Sequence, residues 1–196
     1  ISLCQDIQGQ TFEYPEEFFK ERIHSIRRPR PDDFQIKEAA EKIKKSKKPI
    51  IISGGGVFYS DAMEELSNFA IKHNIPVTQT VMGYSTMKRD HSHYAGQIGG
   101  LGGKNTNDLA KETDLAIAVG TKLADFTTGS WANFENENFK LISINVSRFD
   151  ANKHMAQAVV GDAKVSLTEL SRVLGDWKVR DEWNEKSQKE LKIWNE

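Results

Sequence analysis

Short, continuous apolar runs alternate along this chain with stretches in which apolar residues recur every three or four positions. The runs lie at Ile50–Ile52, Leu115–Val119, Leu141–Ile144 and Ala158–Val160, with a mixed run at 77–80. Segments that are apolar at every position are typical of strands buried on both faces, as in parallel sheets. We predict that these runs are such strands, and expect one more short strand inside the glycine-rich region 82–103.

The intervening stretches have the periodicity of amphipathic helices. Asp32 and Asp33 can cap a helix, and apolar residues then follow at positions 36, 39, 40 and 43. Similar stripes predict a helix from about residue 60, one over about 105–112, and a last one that is capped by Asp162 and extends to Trp177. Alternating strands and helices imply right-handed βαβ units. The predicted fold is therefore α/β and Rossmann-like, an open, doubly wound parallel sheet of five or six strands.

Both ends of the chain fall outside this alternation, so we divide it into an arm (1–31), a Rossmann-like domain (32–178) and a charged helical linker (179–196). The arm closes with RRPRP, whose prolines favour extended backbone. We interpret its arginines as part of a solvated linker and not as a nucleic-acid contact, because no wider basic patch surrounds them.

Three tryptophans at the end of the chain, Trp177, Trp183 and Trp194, lie in or beside a charged segment that offers little to bury them. We expect them to pack against a domain outside this chain or against a second copy. For Trp177, packing on the helices of the sheet is an equal alternative.

Composition narrows the class of protein. Lysine and arginine number 27 against 28 aspartate and glutamate, so no global field favours nucleic acid or an anionic membrane surface. No apolar run approaches the roughly 20 residues of a membrane helix, and no secretory signal is recognisable. Cys4 is the only cysteine, which fits a reducing cytoplasm. The chain opens on Ile1 and stops within a helical pattern, so we expect a piece of a longer, cytoplasmic protein.

The strongest candidate for a ligand site is the sequence PIIISGGGVFYS, residues 49–60. Ligands of open parallel sheets lie outside the carboxyl ends of strands, where small residues admit them and helix N-termini donate to anions. A second such loop follows the run 115–119. The candidate cofactor-binding residues of these two loops are Gly54, Gly55, Gly56, Gly120 and Thr121.

The detailed pattern argues against a nucleotide. The G-x-G-x-x-G fingerprint needs a third glycine where this chain has Tyr59, and a carboxylate about 20 residues further on, where it has Gln79 and Thr80. No Gly-Lys-Ser or Gly-Lys-Thr follows either, which excludes a P-loop. We predict that the glycines turn the chain and leave a vestigial nucleotide crevice.

Other candidate chemistry is sparse. His91 and His93 could hold a metal only with ligands from elsewhere, and a structural or solvated role is favoured. A polar group in one loop could line a ligand or subunit contact, or could form turns, and the sequence favours neither; it comprises Asp125, Thr127, Thr128 and Ser130. No nucleophile has an evident base and no ligands have metal-site spacing. We therefore predict no catalytic residue and no metal site in this chain.

The order of these segments resembles the central domain of thiamine diphosphate (ThDP)-dependent enzymes, the acetohydroxyacid synthase and pyruvate oxidase group. The resemblance extends from Arg28 to Trp177 and is carried by KPIIISGGGV, IPVTQT, DLAIAVGTKLADF, KLISINVSRFDANKH and AVVGDAK. Within the group, VGTKLADFTTGS, INVSRFDANKH and the arm sequence LCQDIQGQTFEYPEEFF are most similar to the ring-opening hydrolases of myo-inositol breakdown.

The resemblance implies an enzyme of three α/β domains, with ThDP and a magnesium ion between the first and the third. The cofactor would attack a ketone carbon of a cyclic diketone, a neighbouring C–C bond would break, and water would complete an open deoxy-sugar acid. The activating glutamate and the Gly-Asp-Gly metal motif would belong to the other domains, since Gly161-Asp162-Ala163 matches that motif only in part. The implied partners are flanking ThDP-binding domains of the same chain, in a homo-oligomer, with no cofactor on this domain.

Some members of the group hold a flavin or an adenine nucleotide in the crevice of this domain. An acidic pair then commonly ends the strand that corresponds to Leu141–Ile144, where this chain has Asn145-Val146-Ser147. Their Gly-Thr-Arg is Gly120-Thr121-Lys122 here, and lysine lacks the planar fork of arginine. Both departures argue against a flavin. The alternative function is a nucleotide-binding (FAD, ADP or NAD) regulatory or redox module of similar fold.

Overall fold

The computed structural model describes residues 2–196 and is built around one six-stranded sheet in which all strands are parallel. The strands are β1 (Pro49–Ser53), β2 (Val77–Gln79), β3 (Tyr94–Gln97), β4 (Leu115–Val119), β5 (Lys140–Asn145) and β6 (Gln157–Val160). Their order is β3-β2-β1-β4-β5-β6. The predicted doubly wound α/β fold is confirmed, and this order places the topological switch point between β1 and β4.

The two central strands explain why the sequence shows continuous apolar runs. Pro49 pairs with Leu115 and Ser53 with Val119, and every residue of β1 and β4 is buried. Helices cover both faces of the sheet, so neither face requires polar side chains. The core therefore lies along these strands, and their carboxyl ends come out side by side at one edge.

Nine helices are found in the described chain, with 3-10 turns at Glu16–Phe19, Val81–Gly83 and Lys153–Met155. They are α1 (Gln5–Gln8), α2 (Asp33–Lys45), α3 (Gly55–Tyr59), α4 (Met63–His73), α5 (Lys104–Glu112), α6 (Asp125–Thr128), α7 (Arg148–Ala151), α8 (Ala163–Leu174) and α9 (Asp181–Asn195). Helix α8 packs against both α2 and α4, and α5 packs against α9. The predicted caps are present: Asp32 accepts from the Phe34 amide, and Asp162 from the amides of the first turn of α8.

Two helix boundaries differ from the predictions. The chain becomes helical at Gly55, directly after β1, and only a turn at Ser60–Ala62 separates this short α3 from α4. Glycine disfavours helix, but here the Gly56 amide donates to the Gly120 carbonyl at 2.9 Å, so a tertiary contact fixes the backbone. At the other end α8 stops at Leu174, where Gly175 has a φ of 61°.

The RRPRP end of the arm is attached to the domain, so its interpretation as a solvated linker is wrong for Arg28, whereas Arg30 forms an ion pair at the surface. The Asp162 amide donates to the Pro29 carbonyl at 2.8 Å, and the Arg28 guanidinium lies 3.2 Å from the Asp162 carboxylate and donates to the Ser60 carbonyl. Arg30 pairs with Glu169 of α8 at 2.5 Å. The physical reason is that the nearly buried Asp162 carboxylate is stabilised by a positive partner.

The three tryptophans at the end of the chain differ in how far they are buried. Trp183 is only 5% exposed and its indole Nε1 donates to the Pro49 carbonyl at 2.8 Å, so the expectation that it packs outside this chain is wrong. Helix α9 folds back over α5 and β3 and carries Trp183 to the start of β1. Trp177 is partly buried against the core, which is the alternative left open for it, whereas Trp194 remains 55% exposed.

Across residues 2–196, no helix has the combination of length and apolar character that crossing a membrane requires. The division of the chain at residues 31 and 178 remains a prediction.

Candidate functional site

The two glycine loops meet at the carboxyl ends of β1 and β4, where the sequence places the crevice. Gly54 donates its amide to the Val119 carbonyl and Gly56 to the Gly120 carbonyl, both at 2.9 Å. Gly120 in turn donates to the Ile144 carbonyl of β5, again at 2.9 Å. Three amides that an anion at this edge would use are thus bonded to carbonyls of the chain itself.

The loops approach each other so closely that no side chain fits between them. A Cβ atom on Gly54 would lie 2.5 Å from the Gly120 carbonyl oxygen, and one on Gly56 would lie 2.5 Å from the Gly120 Cα. Gly120 also has a φ of 62°, a conformation that side-chain-bearing residues rarely adopt. Backbone contact therefore accounts for glycine at these positions without a ligand.

Of the remaining two candidate residues, Thr121 belongs to the same contact, whereas Gly55 lies against the turn after β2. The Thr121 Cβ would be 2.5 Å from a Cβ on Gly54, and the Thr121 Oγ1 accepts from the Leu123 amide at 3.3 Å. A Cβ on Gly55 would lie 3.0 Å from the Met82 carbonyl oxygen. The structure thus brings Gly54, Gly56, Gly120 and Thr121 together between the two loops, with Gly55 facing the neighbouring turn.

A cavity of about 570 Å³ lies beside the loops. Gly56, Gly120 and Asn145 line it from the sheet, and Ile26 and Pro29 line it from the arm. Its volume falls within the range of small-molecule sites. The docked end of the arm is therefore one wall of the crevice.

The amide and the carboxylate that line this cavity already have partners. The Asn145 Nδ2 donates to the Thr121 carbonyl at 3.3 Å, and its Oδ1 accepts from the Ser147 amide at 2.9 Å. Among the described lining residues the one carboxylate is that of Asp162, which is 3% exposed, caps α8 and pairs with Arg28. Neither group is free to hold the hydroxyls of a ribose.

The ion pair and the helix cap of Asp162 also make metal binding unfavourable at the partial motif Gly161–Ala163. An ion there would compete with the Arg28 guanidinium for the Asp162 carboxylate. Among residues 2–196 no group of three or more His, Cys, Asp or Glu side chains is arranged to hold a metal ion. The residues of this chain therefore do not fit the metal-bound diphosphate of ThDP.

His91 and His93 connect the segment before β3 to α4. The His93 Nε2 donates to the Asn74 Oδ1 at 3.0 Å, and the His91 Nε2 lies 2.9 Å from the Ser67 Oγ. The His91 Nδ1 accepts from the His93 amide at 3.1 Å, which fixes the neutral tautomer of His91. Burial lowers the pKa of both imidazoles, that of His93 to about 4. These contacts support the structural role over a metal site.

The polar group around α6 serves mainly in turns. The buried Thr128 accepts at its Oγ1 from the Trp131 amide at 3.3 Å, and the Ser130 amide donates to the Asp125 carbonyl at 3.1 Å. Thr127 lies against the loop after β3, because a Cβ on Gly99 would be 2.8 Å from the Thr127 Cα. The structure thus favours turn formation for Thr128 and Ser130.

Sequence reasoning missed His73, a fully buried histidine on α4. Its Nδ1 donates to the Trp177 carbonyl at 2.7 Å, and its Nε2 accepts from the Ser171 hydroxyl at 3.1 Å. Burial lowers its pKa. Its position four residues after Phe69, on the apolar stripe of the helix, is the signal that would have revealed it.

Comparison with known proteins identifies the family of this α/β domain. The family model for the thiamine pyrophosphate enzyme central domain matches residues 36–170, from α2 to α8. The chain belongs to this family. The match covers every strand of the sheet and both glycine loops.

Relatives from clostridia and bacilli resemble the chain beyond this central region. A 3D-(3,5/4)-trihydroxycyclohexane-1,2-dione hydrolase of Clostridium perfringens is 42% identical over all 196 residues. Proteins with the same name from Clostridium botulinum and Bacillus thuringiensis are 47% identical over 174 residues and 44% identical over 170. These matches cover 89% and 87% of the chain.

The chain spans less than a third of these curated relatives: 31%, 27% and 26% of their lengths, respectively. The likeness therefore concerns one domain of proteins about three times as long as this chain.

Proposed function

We propose that this chain is the central domain of a ThDP-dependent hydrolase. The substrate of the enzyme is trihydroxycyclohexane-1,2-dione, whose ring it opens to a deoxy-glucuronate in inositol breakdown. The observation that carries the proposal is the 42% identity, over the whole chain, to a relative named for this substrate. Identity at this level along an entire domain supports a shared enzyme activity more strongly than the fold alone does, because one fold serves many functions.

In this proposal the domain is structural and takes no part in bond making. Its three most suggestive polar groups are engaged elsewhere: Asp162 with Arg28, His91 with Ser67, and His93 with Asn74. ThDP and magnesium would be bound by flanking domains of the same polypeptide, which would work as a homo-oligomer in the cytoplasm. When bound, ThDP would supply the electron sink for C–C bond cleavage.

The glycine crevice is then an internal contact of the domain. The amides of Gly54 and Gly56 hold the β1 loop on the β4 loop, and Asn145 holds the β5 loop on Thr121. These hydrogen bonds join the loops that follow β1, β4 and β5 at the carboxyl edge of the sheet.

The test compares two polypeptides. The longer enzyme, supplied with ThDP and Mg²⁺, should convert the dione to the open acid, and omission of either should abolish turnover. The 196-residue chain alone should give no product, and ThDP should not raise its melting temperature. Turnover by the chain alone would contradict the structural role, and a loaded longer enzyme that leaves the dione intact would contradict the assigned reaction.

The nucleotide-binding module remains a second candidate because of one observation, the cavity of about 570 Å³ at the switch-point edge. If it is a nucleotide site, FAD, ADP or NAD at 100 times its dissociation constant should stabilise the chain by about 2.7 kcal/mol. An unchanged melting temperature at millimolar ligand would eliminate this candidate.

A further inference from the structure

The arm presents large apolar side chains that no other part of the described chain covers. Every residue from 2 to 27 is exposed. Eight large apolar residues of this segment are between 51% and 89% exposed: Leu3, Ile7, Phe12, Tyr14, Phe18, Phe19, Ile23 and Ile26. Single exposed apolar residues are ordinary, but a series of this length marks an interaction surface.

Four of these residues form an aromatic cluster, Phe12, Tyr14, Phe18 and Phe19. The ring centroids of Tyr14 and Phe18 are 4.8 Å apart and those of Phe18 and Phe19 are 5.4 Å apart, yet each of these rings is more than half exposed. Clustered aromatic rings of this kind form the cores of protein interfaces, where a partner covers the outer faces.

The ends of the arm differ in their attachment. Arg28, Pro29 and Arg30 fasten its last residues to α8, and Ile26 lines the cavity at the carboxyl edge of the sheet. No contact of comparable kind fastens the aromatic cluster to the described domain. The arm is thus anchored at one end and presents an uncovered aromatic surface at the other.

The charges beside the aromatic cluster indicate what kind of surface would bind it. Glu13, Glu16 and Glu17 lie next to these rings in the sequence, and none of them forms an ion pair within residues 2–196. A matching surface would be an apolar depression with lysine or arginine at its rim, because opposite potentials meet across specific interfaces.

We infer that the aromatic cluster of the arm docks on the domain that directly precedes the arm in the longer polypeptide. This inference rests on the proposed function, which places the chain inside a longer enzyme. The Clostridium perfringens relative matches all 196 residues, arm included, and more than two thirds of its length lies outside the match. The arm therefore has a counterpart within a longer chain.

Connectivity favours the preceding domain over a second copy. Segments consecutive in sequence are usually adjacent in space. A tether of a few residues also gives its own domain a millimolar effective concentration at the arm. The arm would then act as a clamp that is fixed to α8 at one end and to the preceding domain at the other.

Hydrogen exchange of residues 3–26 tests this directly, in four samples: the chain alone, the chain with its preceding region, the chain with its following region, and the complete polypeptide. We expect exchange to slow by roughly tenfold or more in the two samples that contain the preceding region and to stay fast in the other two. Equal exchange in all four, or protection that needs only the following region, overturns the inference. Protection of the chain alone that grows with its concentration assigns the surface to a second copy and overturns it as well.

A double variant and a matched control identify the side chains. Phe18→Ser with Phe19→Ser should remove the protection in the complete polypeptide and leave the melting temperature of the chain alone unchanged, because both rings are exposed there. Phe149→Ser, at a phenylalanine that is 75% exposed outside the arm, should leave the protection intact. A double variant that keeps full protection contradicts the role of the cluster.

Turnover of the dione by the same complete polypeptide separates the two proposals. A protected arm without turnover refutes the assigned reaction and leaves the docking standing. Turnover with an unprotected arm refutes the docking and leaves the reaction standing.

Discussion

Gly120 combines two constraints that can be separated experimentally. Its φ of 62° disfavours any side chain, and a Cβ there would also lie 2.6 Å from the Gly56 Cα. Gly129 has nearly the same φ, 58°, in the left-handed helical region, but the atom nearest to a Cβ there would be the side-chain Oδ1 of Asn133, at 3.2 Å. The pair therefore distinguishes backbone strain from the closeness of the two loops.

We predict that Gly120→Ala lowers the free energy of unfolding by about 3 kcal/mol or more, the sum of strain and a clash with backbone that cannot retreat. Gly129→Ala should cost only about 1 to 2 kcal/mol, because the left-handed conformation is strained there but the nearest atom belongs to a side chain that can adjust. Urea denaturation of both variants measures the difference. Equal losses would show that the loops are not in close contact.

The histidines before β3 predict how stability depends on pH. Burial lowers the pKa of His93 from 6.5 to about 4, so the folded state favours the neutral ring. The contribution of His93 to the free energy of unfolding is therefore complete above about pH 6.5 and is lost as the pH falls towards 4. Between these values the unfolded state binds a proton at this imidazole and the folded state does not. His91 and His73, whose pKa values burial also lowers, add to the same slope.

His93→Gln should flatten this slope, removing a contribution on the order of 2 kcal/mol between pH 7 and pH 4. His24→Gln, at an exposed position of the arm, is the matched control for the loss of one imidazole. Unfolding free energies at several pH values provide the measurement. A slope that His93→Gln does not alter would contradict the burial of a neutral imidazole.

At the scale of elements, the end of the arm depends on one ion pair more than on the other. Arg28 faces the nearly buried Asp162 carboxylate and the Ser60 carbonyl, whereas Arg30 pairs with Glu169 while 69% of its side chain is exposed. Removal of a partner from a buried charge costs more than removal from a solvated one.

Arg28→Gln should therefore destabilise the chain by about 2 kcal/mol and accelerate proteolysis of the arm, while Arg30→Gln should cost less than about 0.5 kcal/mol. Denaturation and limited trypsin digestion of the two variants compare them directly. If the two losses are alike, the arm is not held by Asp162.

Helix α9 permits a similar comparison between two tryptophans. Trp183→Ala should cost about 3 to 5 kcal/mol, because it removes a buried ring and leaves the Pro49 carbonyl without its donor. Trp194→Ala, at a ring that is 55% exposed, should cost less than about 1 kcal/mol. Urea denaturation decides between them, and a small effect at Trp183 would mean that α9 is not docked.

The sequence predicts strands and caps well because their signals are local. Runs such as Leu115–Val119 reveal burial on both faces, and Asp162 precedes the helix that it caps. The docking of Arg28 on Asp162 joins residues 134 positions apart and leaves no local pattern. The early start of α3 and the burial of Trp183 likewise depend on distant partners, the Gly120 carbonyl and the Pro49 carbonyl.

At the scale of the whole molecule, the sheet order explains both where the crevice lies and why its two glycine loops touch. Order β3-β2-β1-β4-β5-β6 brings the β1 and β4 loops side by side, and glycines let them touch. The five crevice residues could be located from sequence because carboxyl ends of parallel strands share an edge. Their mutual hydrogen bonds could not, since they depend on the register of β1 against β4.

The central claim is that the two glycine loops at the switch point bond to each other and do not hold a nucleotide in the cavity beside them. The most direct measurement follows the amide resonances of Gly56, Gly120 and Asn145 in the ¹⁵N-labelled chain during titration with ADP, FAD and NAD to millimolar concentration. The account predicts that these three resonances do not move. A saturable shift of all three by any of these nucleotides would contradict it.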